Sequence, residues 1–314
     1  MAEHLTFATL VVSAMSELTH PFRLLPRRIA VTCHDAGGAN IVLALLGHLD
    51  TKWHELSVFM QGPAEKLCRQ RFPNIRLANS ASDALANAEV LLSSTGWASD
   101  VEHDARRLAS QAGVRSIAVL DHWVNYAERF EREGQTVLPD EIWVCDREAM
   151  QIARGIFPFS TLVQVPNFYL EEQIRLLPAV TGLADELLYV LEPIRSEWGR
   201  STPGEFQALD FFSEQLALIA AQPNMLIRLR PHPSDPPGKY DEWISTHSHL
   251  HVKLDDSVNL NAALASANRV AGCESFAMAV ALAAGRQVYC TLPPWAPPCR
   301  LPHKDLIHLK DLRK

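Results

Sequence analysis

Short β-branched and apolar runs alternate along this sequence with glycine or polar turns and helical patterns, and that alternation confines the chain to a few folds. Residues 28–33, Arg-Ile-Ala-Val-Thr-Cys, form the first run. His34-Asp35-Ala36-Gly37-Gly38-Ala39-Asn40 follows at once, and an apolar helical pattern covers 41–49. Strand, glycine turn and helix in this order open a doubly wound α/β domain. The pattern predicts further strands at 56–60, 75–77, 90–97, 116–120, 141–146 and 163–167, with helices at 64–72, 81–87 and 100–112. It then restarts, with strands at 186–191, 223–227, 250–254, 269–272 and 287–290 and helices at 206–221, 260–267 and 276–284. The expectation is an α/β protein of two doubly wound domains facing each other across a cleft. The first spans residues 27–167 and the second 187–290. Residues 168–186 form a linker with a helix at 169–177. Residues 1–26 are an N-terminal extension, and 291–314 are a proline-rich tail that crosses back over the first domain. A length of 314 residues accommodates two domains of ordinary size.

Composition removes several function classes. With 47% hydrophobic and 21% charged residues, the chain has the make-up of a globular protein able to bury large cores. A formal charge of −7 argues against a nucleic-acid partner, which would bring a basic face. The six cysteines, at 33, 68, 145, 273, 290 and 299, include no CxxC pair. Neither a zinc ribbon nor a redox motif is indicated, and buried free thiols in a reducing, cytoplasmic compartment are expected. No apolar run reaches the roughly 18 residues of a membrane span. Residues 5–14 are apolar, yet Glu3 and His4 stand where a secretion signal would be basic. The extension reads either as an interfacial helix in peripheral contact with a membrane or as a mis-called start.

Open α/β sheets bind ligands at the carboxyl ends of their strands, so the residues there are the functional candidates. Arg228-Leu229-Arg230-Pro231-His232-Pro233 ends one strand. Its prolines fix φ and remove backbone donors, so the chain must leave the sheet. The cations suit an anion, phosphate foremost; the alternative is a strand end with solvated charges. In Gly272-Cys273-Glu274-Ser275, Ser275 stands at a helix N-cap, either an anion site or an ordinary cap. Glu192 and Arg195 end a further strand. In the first domain, Asp35 beside His34 is a candidate for moving protons, or else a residue that caps its turn. Gly37 and Gly38 permit close approach of a ligand or another backbone, and the helix start up to Asn40 offers N–H groups to an anion. Asp121 and His122, beside Trp123 and Tyr126, either line a sugar or ring-shaped substrate or belong to a packed loop with the aromatics as core anchors. The spacing of the glycines is not GxGxxG, which leaves a dinucleotide fingerprint unsupported. No DxD pair follows a strand, and Asp255-Asp256 is expected to be solvated in a polar loop, so neither a divalent cation nor another cofactor is required.

On two βα halves, these motifs resemble a GT-B-type nucleotide-sugar glycosyltransferase. Arg230-Pro231-His232-Pro233 is similar to the HP motif of bacterial sialyltransferases and of the related Kdo and polysialic-acid transferases. Gly272-Cys273-Glu274-Ser275 is similar to their downstream serine motif, with one serine, and His34-Asp35-Ala36-Gly37-Gly38 to their acidic-x-Gly motif, without a second acidic neighbour. The resemblance covers about residues 28–290. It implies two Rossmann-like domains and an inverting, metal-independent transfer from a nucleotide-activated sugar, such as a CMP-nonulosonic acid or CMP-Kdo, in bacterial surface-glycan synthesis. Its partners would be that donor and a glycan or other hydroxyl acceptor. Asp35, with His34, would be the general base. Arg230, His232, Glu274, Ser275, Glu192 and Arg195 would hold the donor phosphate, and Gly37, Gly38, Asn40, Asp121 and His122 would line the acceptor and sugar. A nucleotide-sugar 2-epimerase or hydrolase on the same fold would use the same carboxylates and histidines, and a non-catalytic nucleotide-sugar-binding protein would keep the shape alone.

Overall fold

A computed structural model describes residues 25–96, 99–179, 186–194, 196–220 and 224–312. The chain divides into two compact units, Met1–Tyr169 and Leu170–Lys314. Most of the extension, together with Arg195 and residues 180–185, lies outside the described residues.

Unit 1 is built on a six-stranded parallel sheet. Its strands are β1 (Arg28–Cys33), β2 (Glu55–Met60), β3 (Val90–Ser93), β4 (Arg115–Leu120), β7 (Glu141–Val144) and β8 (Thr161–Gln164), in the order β2-β1-β3-β4-β7-β8. The missing numbers belong to a two-stranded antiparallel hairpin, β5 (Glu131–Arg132) and β6 (Gln135–Thr136). Strands covered on both faces read as continuous apolar runs, and β1 is buried at every position after Arg28. Helix α1 (Ala36–Leu46) is apolar nearly all round and buries eight of its residues beside that sheet. The other helices of the unit are α2 (Gly62–Arg71), α3 (Ala81–Leu85), α4 (Val101–Ala112) and α5 (Arg147–Ile156). Helix α4 stops at Gly113, which takes the left-handed conformation (φ 69°) that glycine adopts without steric cost. Asp146 caps α5 through the Ala149 amide and also accepts from the Trp123 indole.

Unit 2 repeats the plan. Its sheet contains β9 (Glu186–Val190), β10 (Leu226–Arg230), β11 (Val252–Leu254), β12 (Arg269–Gly272), β13 (Gln287–Cys290) and β14 (Ile307–His308), all parallel, in the order β11-β10-β9-β12-β13-β14. After α6 (Phe168–Arg175), where the two units meet in sequence, come α7 (Gly204–Gln215), α8 (Asp241–Thr246), α9 (Leu260–Ala265) and α10 (Phe276–Ala283). In both sheets the order reverses beside the first strand of the unit, which is the doubly wound, Rossmann-like arrangement.

Three expectations change. Residues 75–77 form only an isolated bridge between Leu77 and Val58. Helix α5 and the β5–β6 hairpin fall where the sequence indicated no element. The proline-rich stretch is no tail: it is held to unit 2 itself, where β14 adds the sixth strand and the Trp295 indole donates to Gln207. Among the described residues no helix is long and apolar enough to cross a membrane.

Candidate functional site

The switch point of unit 1 lies between β1 and β3, and the chain places carboxylates there. His34 and Asp35 leave β1; Ser94, Thr95 and Gly96 leave β3; Asp121 and His122 leave β4. His34 Nδ1 lies 2.8 Å from an Asp35 carboxylate oxygen, and both side chains keep partial exposure. Asp35 occupies the N-cap position of α1, yet its carboxylate makes no capping hydrogen bond. Its orientation follows instead from the imidazole, which packs against Gly62: a Cβ there would sit 2.5 Å from His34 Nε2.

Behind this pair stands Glu102, a residue the sequence reading passed over. It belongs to the first turn of α4 and is fully buried. One carboxylate oxygen accepts the His34 backbone N–H at 2.8 Å and the Ser94 hydroxyl at 2.7 Å; the other has no hydrogen-bond partner. Gly96 has no side chain because there is no room for one. An added Cβ would lie 2.5 Å from an Asp35 oxygen and 3.0 Å from a Glu102 oxygen.

The paired glycines prove to serve internal packing. A Cβ at Gly37 would meet Asp121 Oδ2 at 2.5 Å, and one at Gly38 would clash with the Ser94 side chain. What approaches α1 closely is thus the chain's own β3 and β4 ends. Asp121 pairs with Arg129, whose guanidinium also donates to the Thr95 carbonyl and hydroxyl and to the Val124 carbonyl. Asn125, at φ 58°, turns the chain so that Arg129 can return. Trp123 and Tyr126 are buried core anchors, and His122 meets Trp123 edge to face, so the packed-loop alternative describes the aromatics. Asn40 is half-buried in α1.

Two further arginines fix these loops. Arg106 is buried and donates to the carbonyls of Ser94, Arg129 and Val137. Burial, then Arg132 nearby, bring its pKa down to about 10 against the opposing pull of Glu102. Arg132 donates to the carbonyls of Gly96 and Ser99 and pairs with Asp100. A carbonyl-binding arginine leaves no mark in a sequence pattern, whereas the eight-residue spacing from Asp121 to Arg129 in one polar-aromatic loop was visible.

In unit 2 the switch point lies between β9 and β12. Glu192, just beyond β9, turns its carboxylate under the β12–α10 turn and accepts the Glu274 backbone N–H at 2.6 Å. Burial raises its pKa to about 7; the neighbouring Glu274 adds to the rise, while the backbone amides of residues 273–275 oppose it. Ser275 stands at the N-cap of α10 but makes no side-chain capping bond, and its buried hydroxyl has no hydrogen-bond partner. The anion that sits at this helix terminus is the protein's own carboxylate. Glu274 faces the other way and is bound by Arg300 through its backbone N–H, Nε and Nη2.

The arginines of β10 are also engaged. Arg228 is buried and binds Glu186, Asp255, the Ala263 carbonyl and the Ser266 hydroxyl. Arg230 donates to Asp255 at 2.6 Å and to the Ser257 carbonyl at 3.1 Å. Asp255 is therefore not the solvated residue expected: its side chain is fully covered and bridges both guanidiniums. Burial would raise its pKa, but the Ser257 hydroxyl and the two arginines outweigh that and hold it low. His232 remains exposed, with Nδ1 against the Ser234 hydroxyl. Asp235 fixes its loop by accepting from the His232 amide, Lys239 and the Tyr240 hydroxyl.

The candidates thus fall into three groups. His34, Asp35, Gly37, Gly38 and Asp121 converge at one edge with Glu102; Glu192, Glu274 and Ser275 converge at the other unit's switch point; Arg230 and His232 stand at the end of the adjacent strand β10. Arg195 lies outside the described residues.

No family model matches the sequence, and no curated protein matches it. Solved structures do. A putative UDP-N-acetylglucosamine 2-epimerase from Listeria monocytogenes superposes with a TM-score of 0.55 at 15% identity, over 84% of this chain and 79% of that one. The UDP-GlcNAc 2-epimerase from Neisseria meningitidis, solved bound to UDP-GlcNAc, gives 0.53 at 9% identity over 83% and 82%. A further UDP-N-acetylglucosamine 2-epimerase gives 0.55 at 9% over 85% and 78%. The likeness extends over both units, and the chain has the GT-B-like fold of two Rossmann-like α/β domains.

Proposed function

We propose that the chain is a nucleotide-sugar enzyme that transfers an activated sugar to a hydroxyl acceptor by a single inverting displacement. The observation that carries this reading is the His34–Asp35 pair at the unit 1 switch point, a carboxylate oriented by an imidazole and partly open to solvent. Asp35 acts as general base, taking the acceptor proton as its oxygen attacks the anomeric carbon; the imidazole holds the carboxylate in position. Asp121, fixed by Arg129, presents a second carboxylate to sugar hydroxyls. On unit 2, the exposed His232 meets the nucleotide phosphate, and the α10 N-terminus at Ser275 joins it when Glu192 is neutral. Arg230 supports that edge from behind, since it shares its charge with Asp255. The reaction as written needs no metal. A cytidine nucleotide carrying a nonulosonic acid or Kdo is the donor suggested by the HP motif.

A second reading has support of its own. Two of the three solved structures described above are named as 2-epimerases and the third as a putative one, and an enzyme of that kind would act on its nucleotide-sugar with no acceptor present. The test is incubation with CMP-N-acetylneuraminate, CMP-Kdo and UDP-N-acetylglucosamine, each with and without a polyol or glycan acceptor, followed by NMR. Acceptor-dependent nucleotide release that vanishes in Asp35→Asn is expected. A new sugar epimer formed without acceptor would establish the second reading. Unchanged turnover in Asp35→Asn would remove the base assignment.

A further inference from the structure

Three sulfurs meet at the carboxyl edge of unit 2, outside the groups assigned above. Cys290 ends β13 and is buried, and Cys299 closes the proline-rich stretch and is half-buried. Their thiols converge on a single acceptor, the Cys273 carbonyl, at 3.2 Å and 3.7 Å. The third, Cys273, is buried with its sulfur against the Thr291 hydroxyl at 3.8 Å. The segment between the two thiols is held in place independently of them. Thr291 bonds the Tyr189 hydroxyl at 2.7 Å, Arg200 lies 3.6 Å over the Trp295 ring, and Arg300 grips Glu274. Two thiols on one acceptor atom are near neighbours.

We propose that Cys290 and Cys299 form an oxidisable pair, a site at which a low-molecular-weight disulfide is exchanged for an internal Cys290–Cys299 bond. The two thiols have different surroundings. Cys299 has its pKa lowered, the neighbouring Cys290 thiol being the first cause, so the more accessible sulfur is also the better supplied with thiolate. The Cys290 pKa is raised, first by Cys299 and next by burial. In the first step the Cys299 thiolate attacks one sulfur of the small disulfide, forming a mixed disulfide and expelling one thiolate. Capping removes the Cys299 charge from beside Cys290, one of the causes that oppose its ionisation. In the second step the Cys290 thiolate attacks the Cys299 sulfur, closing the internal bond and expelling the second thiolate. Two protein thiols are oxidised, one small disulfide is reduced to two small thiols, and the two protons end on those products. Both S–H donors are thereby withdrawn from the Cys273 carbonyl, one residue before the turn that carries Glu274 and Ser275.

The experiment is treatment of the folded full-length chain with oxidised glutathione, alkylation in denaturant, and mass analysis. Cys290 and Cys299 fall in the same tryptic peptide, Gln287–Arg300, so the internal bond shows as an unalkylated peptide lighter by two hydrogens. The expected result is that product, reversed by dithiothreitol, with Cys273 alkylated as a thiol. Cys290→Ser should instead trap glutathione on Cys299, and Cys299→Ser should leave Cys290 unmodified. Stable glutathione on Cys299 in the unaltered protein, or all six cysteines recovered as alkylated thiols, would overturn the proposal.

Discussion

Replacing Glu192 with glutamine tests the description of the unit 2 edge most directly. The carboxylate sits under the β12–α10 turn with its pKa raised from 4.5 to about 7, burial being the first cause. A raised carboxylate pKa means the folded chain binds the proton more tightly than the unfolded chain does. Its contribution to stability is full below pH 4.5, declines as the pH rises, and is gone once the pH passes about 7. At about 1.4 kcal/mol for each tenfold change in proton affinity, the upper bound is about 3 kcal/mol. Partial exposure of the residue lowers this, so roughly 1–3 kcal/mol is the working range. In Glu192→Gln the amide oxygen still accepts the Glu274 N–H, and nothing titrates there. The assay is thermal unfolding of both proteins from pH 4.5 to 8.5, read as the difference in Tm. That difference should shift in the variant's favour by several degrees between pH 5 and 8, given about 2–4 °C per kcal/mol for a domain of this size. A constant difference across the range would show that Glu192 ionises as an ordinary surface carboxylate, and that the turn is not occupied by it as described.

Gly37→Ala should push Asp121 off Arg129, because the new methyl would lie 2.5 Å from an Asp121 oxygen; a loss of about 1–3 kcal/mol in urea unfolding is expected. Gly155→Ala, with nothing within 4 Å of the added carbon, is the control and should be neutral or mildly stabilising. Arg106→Met strands the buried carbonyls of Ser94, Arg129 and Val137 and should cost about 3 kcal/mol or more by the same measurement. Asp255→Asn removes the shared counter-charge of Arg228 and Arg230 and should cost about 3 kcal/mol at neutral pH. Because the folded pKa of Asp255 is depressed, its contribution is present above the ordinary value of 3.8 and is lost as the pH falls through the folded one, so the gap between the two proteins should narrow in acid.

Much of the fold could be read from period and punctuation. The runs at β1, β3, β4, β9 and β12 are apolar on both faces and each ends in a polar or glycine turn, which is what a parallel strand covered by helices must look like. Helix α5 escaped because Pro158 and the polar Arg147-Glu148 hide a short amphipathic pattern, and β14 because two residues carry no period. At the strand ends, residue type and position singled out His34, Asp35, Asp121, Glu192 and Ser275 as candidates. What they could not give was who holds whom. Arg230 looked available for phosphate because Asp255, 25 residues later, carries no local sign of facing it. Glu102 looked like one more charge in an acidic helix start, although its neighbours Asp100 and Asp104 are exposed and it alone is buried. Three-dimensional pairing across a sheet edge has no sequence period, and so the partners of a charge are the part that stays hidden.

The two halves share one more device. Each switch point is closed by a carboxylate that comes from the chain itself: Glu102 accepts the N–H of His34 where β1 ends, and Glu192 accepts the N–H of Glu274 where β12 ends. Amides at such positions are where open α/β sheets commonly receive a ligand's anion. With an internal carboxylate already on them, a phosphate gains less from those N–H groups and meets like charge as well. The two carboxylates differ in what they leave over. Glu102 is completely buried and retains an oxygen without a hydrogen-bond partner. Glu192 has a pKa raised to about 7 and lies on the backbone amides of residues 273–275, so in its neutral form it takes the like charge away from the β12–α10 turn. Whether the β12–α10 turn can receive an anion is thus set by the protonation of Glu192, more than by the arginines of β10, whose charge Asp255 already answers.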